Sequence, residues 1–126
     1  MKKIIGIFVF CAINIVSFSQ AELLEAEHKY INGNMRGALT IYRNILEKDP
    51  ENYKAQFGEA ECYYQLKKYN DAFSSLDKAA GIKQEKTKEI VLFYAQCYHR
   101  TNDLDRAISE YKSFQKMVKP KSEEYQ

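Results

Sequence analysis

Cys62, Cys97, His99 and His28 are the residue types that hold zinc or exchange disulfides, and Cys97-x-His99 is the one suggestive pairing of that kind in the 126-residue chain. Their spacing argues against both chemistries. His28, Cys62 and Cys97 recur at offsets of 34 and 35, so they occupy equivalent places in successive units and stand a whole helix-packing distance apart. Packed helix axes are separated by about 8 to 10 Å, whereas a disulfide needs Cα atoms within about 6.8 Å. His99 lies two residues beyond Cys97, which at helical pitch turns it roughly 200° away, so the two cannot converge on one ion. The reading is therefore of buried free thiols. The sequence has no phosphate-binding glycine loop, nucleophile elbow or paired-cysteine metal motif. We expect no catalytic, cofactor-binding or metal-binding residues and no enzymatic activity.

The elements that carry these residues repeat. At offsets of 34 and then 35, Ala26 recurs as Ala60 and Ala95, and Ala38 as Ala72 and Ala107. Tyr30 recurs as Tyr64 and then His99, Tyr42 as Leu76 and Tyr111, and Ile45 as Ala79 and Phe114. Apart from Ala79, small positions stay small and large ones stay large, with the extra residue of the second step absorbed in residues 81–88. Within the second unit Phe57, Ala60, Tyr63 and Tyr64 fall on one helical stripe, and Ala72, Phe73, Leu76, Ala79 and Ala80 on another. Each unit is thus two helices, divided at Asn32-Gly33-Asn34, Lys67-Lys68 and Thr101-Asn102-Asp103. Asn102 or Asp103 suits a cap, while Lys67 is a poor turn residue. Asp49-Pro50 ends the first unit and Pro120 the third. Only five Gly and two Pro occur in the chain, which favours long helices with few breaks.

A 34-residue helix-turn-helix with small residues at the crossing and Ala-x3-aromatic followed by Pro resembles the tetratricopeptide repeat. The residues carrying the likeness are Ala26, Ala38, Tyr42 and Pro50; Ala60, Tyr63, Ala72 and Leu76; and Ala95, Tyr98, Ala107 and Tyr111. Departures are Lys29 where the first unit should show Tyr, the lack of Trp, and a second unit without its Pro. The resemblance implies an all-α, right-handed superhelical solenoid of three units, about residues 20–52, 53–87 and 88–121, with 122–126 a tail or the start of a further helix. The small residues let the paired axes approach closely.

The first 19 residues differ in kind. Lys2 and Lys3 precede an apolar run over residues 4–18 without a charge, ending at small residues Ser17 and Ser19, the pattern of a secretory signal peptide cut after Ser19. The run is shorter than the roughly 20 residues that span a bilayer, and Cys11 sits mid-run, where lipidation does not occur. The expected location is exported, in the periplasm or at the outer membrane. Loss of Lys2 and Lys3 leaves 17 basic and 17 acidic residues, a balance that gives no electrostatic footprint for nucleic acid.

In the tetratricopeptide family the first helices of successive pairs line a concave groove. Placed in that register, the groove residues are Leu23, Glu27, Tyr30 and Ile31 in the first unit. The second contributes Phe57, Glu61, Tyr64 and Gln65, and the third Leu92, Gln96, His99 and Arg100. Tyr30, Tyr64 and His99 would form a ladder along the floor, suited to anchoring a peptide; the alternative is that these rings only shield the stack. The expected function is a non-catalytic interaction scaffold of the envelope with a protein or peptide partner. The alternatives are a chaperone-like carrier of exported chains and a regulatory part of a larger enzyme or complex. Leu92, Ile108, Tyr111 and Phe114 make an uncapped apolar flank, which a downstream domain or a second copy would cover. The arrangement is similar to the amino-terminal repeat module of larger envelope proteins that carry an OmpA-like domain.

Overall fold

The computed structural model of the protein describes residues 18–119. The leader expected at residues 1–19 lies outside that span except for its last two residues, and so do Pro120 and the tail at 122–126. Six helices and no strand occur among the described residues: α1 (residues 18–31), α2 (Met35–Lys48), α3 (Tyr53–Gln65), α4 (Tyr69–Lys83), α5 (Lys88–Arg100) and α6 (Leu104–Val118). They form three antiparallel pairs that pile up in sequence order, α2 packing on α3 and α4 on α5 between pairs.

Local chemistry sets the ends of these helices. Asn34, Asn52, Thr87 and Asp103 each cap a helix with a side-chain oxygen that accepts a backbone N–H three residues on, at 2.9 to 3.4 Å. The turn inside each pair is the same structure built three times. Gly33, Lys67 and Asn102 are left-handed, with φ of 81°, 60° and 61°. The residue that follows each donates its N–H five residues back, to the carbonyls of Lys29, Tyr63 and Tyr98 at 2.8 to 2.9 Å. The left-handed residue itself donates to the carbonyls of Tyr30, Tyr64 and His99 at 3.0 to 3.1 Å, completing a Schellman closure each time. Lys67 holds the left-handed conformation against its Cβ, a strain of roughly 1 to 2 kcal/mol that the repeated turn geometry imposes. The extra residue of the second step lies in α4, which has 15 residues to the 14 of α2, and Gln84 closes α4 in a left-handed conformation, φ 57°.

The core has two parts. One gathers Ala26, Ala38, Tyr42, Ile45, Ala55 and Cys62. The other gathers Ala60, Ala72, Leu76, Ala79, Ile90, Phe93, Tyr94 and Cys97. All six crossing alanines are buried, none more than 3% exposed. A carboxylate is buried with them: Glu59 Oε2 accepts from Gln56 Nε2 at 2.8 Å and from Ser75 Oγ at 2.7 Å, tying α3 to α4. Outside the core, α6 shows Leu104 and Ile108 about half exposed, together with Met117 and Val118.

The pairs approach closely at Gly58, where a Cβ would stand 2.7 Å from ring carbons of Tyr42, itself 3% exposed. Substituting Ala for Gly in mid-helix ordinarily stabilises by about 1 kcal/mol. Here the ring is confined by the core and cannot give way, so Gly58→Ala is expected to destabilise by about 1 to 3 kcal/mol net. Urea unfolding followed by circular dichroism measures this, and a variant as stable as the parent would mean that the α2–α3 contact is looser than described.

Candidate functional site

The candidate chemistry of the cysteines and histidines is resolved by which helix covers each position. Cys62 and Cys97 are buried free thiols, in different halves of the core. Burial pushes both up to about 12, with the Glu61 and Glu59 charges adding to the effect at Cys62, so neither is a thiolate nucleophile near neutral pH. His28, their equivalent in the first pair, is exposed and contacts the Asn32 side-chain amide at 3.1 Å, because no described helix precedes α1 to cover it. Among the described residues, no three His, Cys, Asp or Glu side chains are grouped to hold a metal. No helix there is long and apolar enough to cross a membrane.

A continuous run of rings follows α3 and α5 and ends on Tyr69, the first residue of α4. Tyr53 and Phe57 have centroids 6.0 Å apart, Phe57 and Phe93 5.6 Å, Phe93 and Tyr64 5.3 Å, and Tyr64 and Tyr69 5.7 Å. Polar links tie the run to its neighbours: Gln65 Nε2 donates to the Tyr30 hydroxyl at 3.4 Å, and Arg100 Nε to the Tyr64 hydroxyl at 3.0 Å. Each joins one helix pair to the next. Above the rings lies a recess of about 240 Å³. Tyr30, Phe57, Glu61, Tyr64, Gln65, Leu92 and Gln96, all assigned to the groove by register, line it together with Glu89 and Phe93.

Five assigned residues stand elsewhere. Leu23 packs against the first core cluster, and Ile31 is 80% exposed. Glu27 is exposed beside the recess, near enough to act on Glu61. Arg100 lies over the Tyr64 ring rather than in the cavity. His99 is not the third rung of the ladder: its ring meets Tyr111 of α6 edge-on at 6.5 Å, and Phe93 supplies the third ring. In the repeat register the equivalent of Phe93 is Gly58. That glycine is covered by Tyr42, whereas the smaller Leu76 at the next interface leaves room for a ring that reaches the groove.

A second, larger recess of about 860 Å³ is lined by Leu23, Ile45 and Tyr53 with Lys48, Lys54 and Lys83. It is also walled by Phe18 and Ser19, which belong to the expected leader, so removal of that leader would unroof it. The recess over the ring run does not depend on those residues.

Electrostatically the smaller recess is acidic. Burial holds the Glu61 carboxyl above its ordinary value of 4.5, and the Glu27 charge pushes it the same way. A carboxyl raised in the folded state favours its protonated form there. The stability tied to it is intact below the unfolded value and is lost as pH rises through the folded one. Glu61→Gln is therefore expected to melt at a higher temperature than the parent at pH 7, with the difference closing below about pH 4. Thermal melts at both pH values read this out, and a variant that is less stable at pH 7 contradicts it.

The sequence family described as anaphase-promoting complex, cyclosome, subunit 3 (ANAPC3) matches residues 31–114, two thirds of the chain. No curated protein matches by sequence. Among solved structures, one chain of a CopN–Scc3 complex superposes with a TM-score of 0.72 at 17% identity, over 82% of this chain and 60% of that one. The Yersinia enterocolitica type III secretion chaperone SycD, in complex with a peptide of the translocator YopD, gives 0.73 at 19% identity over 82% and 79%. The second TPR of Spaghetti (RPAP3), bound to the HSP90 peptide SRMEEVD, gives 0.70 at 14% over 79% and 91%. Likeness at such identities shows a shared fold of stacked tetratricopeptide pairs. With the family matched across most of the described helices, the chain belongs to the ANAPC3 family of tetratricopeptide-type repeats.

Proposed function

We propose that this chain is a non-catalytic interaction module that binds a segment of a partner protein along the face of α1, α3 and α5. The observation that carries the reading is the run of five rings from Tyr53 to Tyr69, which puts rigid, amphipathic side chains beside a recess on one continuous surface. Two structures of the same fold hold peptides, one of YopD and one of HSP90, which supports a peptide as the ligand class here. That one of them is a chaperone favours the second reading, a carrier of exported chains. One partner at fixed stoichiometry fits the module, and many weak ones fit the carrier.

The setting proposed is the bacterial envelope, on the strength of Lys2, Lys3 and the apolar run over residues 4–18. Use as the amino-terminal module of a larger, OmpA-like envelope protein belongs to the same proposal and rests on that leader and the repeat pattern alone. The half-exposed Leu104 and Ile108 on α6 offer a surface for a further repeat or a second copy.

Two measurements test these readings. Peptides of 12 residues selected by display on the protein should lose about tenfold or more in affinity when Gln96→Trp fills the recess. They should bind unchanged when Ser74→Trp alters the exposed side of α4. Equal affinity for the parent and Gln96→Trp removes the groove from the account. For the leader, mass spectrometry of protein recovered from bacterial cells should find a mature chain beginning at Gln20, and an intact residue 1 would contradict export by cleavage.

A further inference from the structure

The recess has a chemistry narrower than that of the groove around it. None of its lining residues is a cation, while Glu61 and Glu89 both face it and Glu27 stands beside Glu61. Among the described residues Glu61 and Glu27 have no ion-pair partner, and Glu89 has only the exposed Lys88 at 4.0 Å. The cations of this face are used at its two ends, Lys83 over the Tyr53 ring at 4.5 Å and Arg100 over Tyr64. Between them the rings of Tyr30 and Phe57 present faces that attract positive charge, and Gln65 and Gln96 add carbonyl acceptors. A volume of about 240 Å³ is smaller than a site for a drug-sized molecule, about 300 Å³ and upward, and suits one long side chain.

We propose that this recess receives a lysine or arginine side chain of the partner segment, its stem along the Phe57 and Tyr64 rings and its charged head between Glu61 and Glu89. The inference rests on the peptide-binding reading above and specifies its ligand. An apolar side chain would close the recess over Glu61 and desolvate an unpaired carboxylate, which is costly, whereas a cation supplies a charge-assisted hydrogen bond in exchange. An acidic side chain would add like charge to three carboxylates. A sequence such as SRMEEVD, bound by the RPAP3 repeat, could place only its arginine here.

The test uses the full protein and the display-selected peptides whose binding Gln96→Trp weakens. Those peptides should share a lysine or arginine, and replacing it with norleucine should weaken binding by about tenfold. In a Glu61→Gln, Glu89→Gln double variant, verified as folded by circular dichroism, the same replacement should cost little, because the coupling between the two sites is gone. Recess-dependent peptides without a cation, or a norleucine penalty as large in the double variant as in the parent, would overturn the cationic ligand and leave the groove standing. A selection that yields no recess-dependent peptide would overturn both.

Discussion

The structure depends on how closely its helices can approach. Within each pair an alanine on the first helix meets the level of an alanine on the second, and all six are buried. Between pairs the same economy is reached by different residues. At the first interface Tyr42 fills the space over Gly58; at the second, the equivalent positions are Leu76 and Phe93. A large residue facing none becomes a medium one facing a large one, so the ring at the interface changes helix. That exchange moves an aromatic ring from α2 to α5 and sets Phe93 against both Phe57 and Tyr64 of α3.

Polar groups refine what packing sets. Three identical turn closures use Gly, Lys and Asn in the left-handed position, and the pairs are superimposable there although the residue types are not. Local preference alone would not choose Lys67; the packing of α3 on α4 on either side of it does. Glu59 shows the same hierarchy. Its carboxylate lies in the α3–α4 crossing supported by two neutral donors, which is tolerable only because Gln56 and Ser75 converge on one oxygen.

The two surfaces that remain differ in kind. The face of α1, α3 and α5 is aromatic and acidic around one recess, held in shape by hydrogen bonds that cross from pair to pair at Tyr30 and Tyr64. Those bonds make the recess a product of the stack: no single pair contains enough of it to bind anything. The outer face of α6 is apolar and has nothing on it among the described residues.

The sequence by itself determined the helices, their pairing and the crossing alanines, because a period of 34 residues repeats the same demand for small and large side chains and needs no knowledge of neighbours. It also separated the cysteines, since equivalent positions in a stack cannot touch. The tertiary structure alone decided which ring reaches the groove. His99 turned to Tyr111 and Phe93 took its place, a choice set by the volume left beside Leu76, which a register assigned one unit at a time does not contain. The exposed His28 against the buried Cys62 and Cys97 has the same origin: identical register, different cover. The acidity of the recess was likewise beyond the sequence, because Glu27, Glu61 and Glu89 come from three helices and their common effect exists only where those helices are stacked.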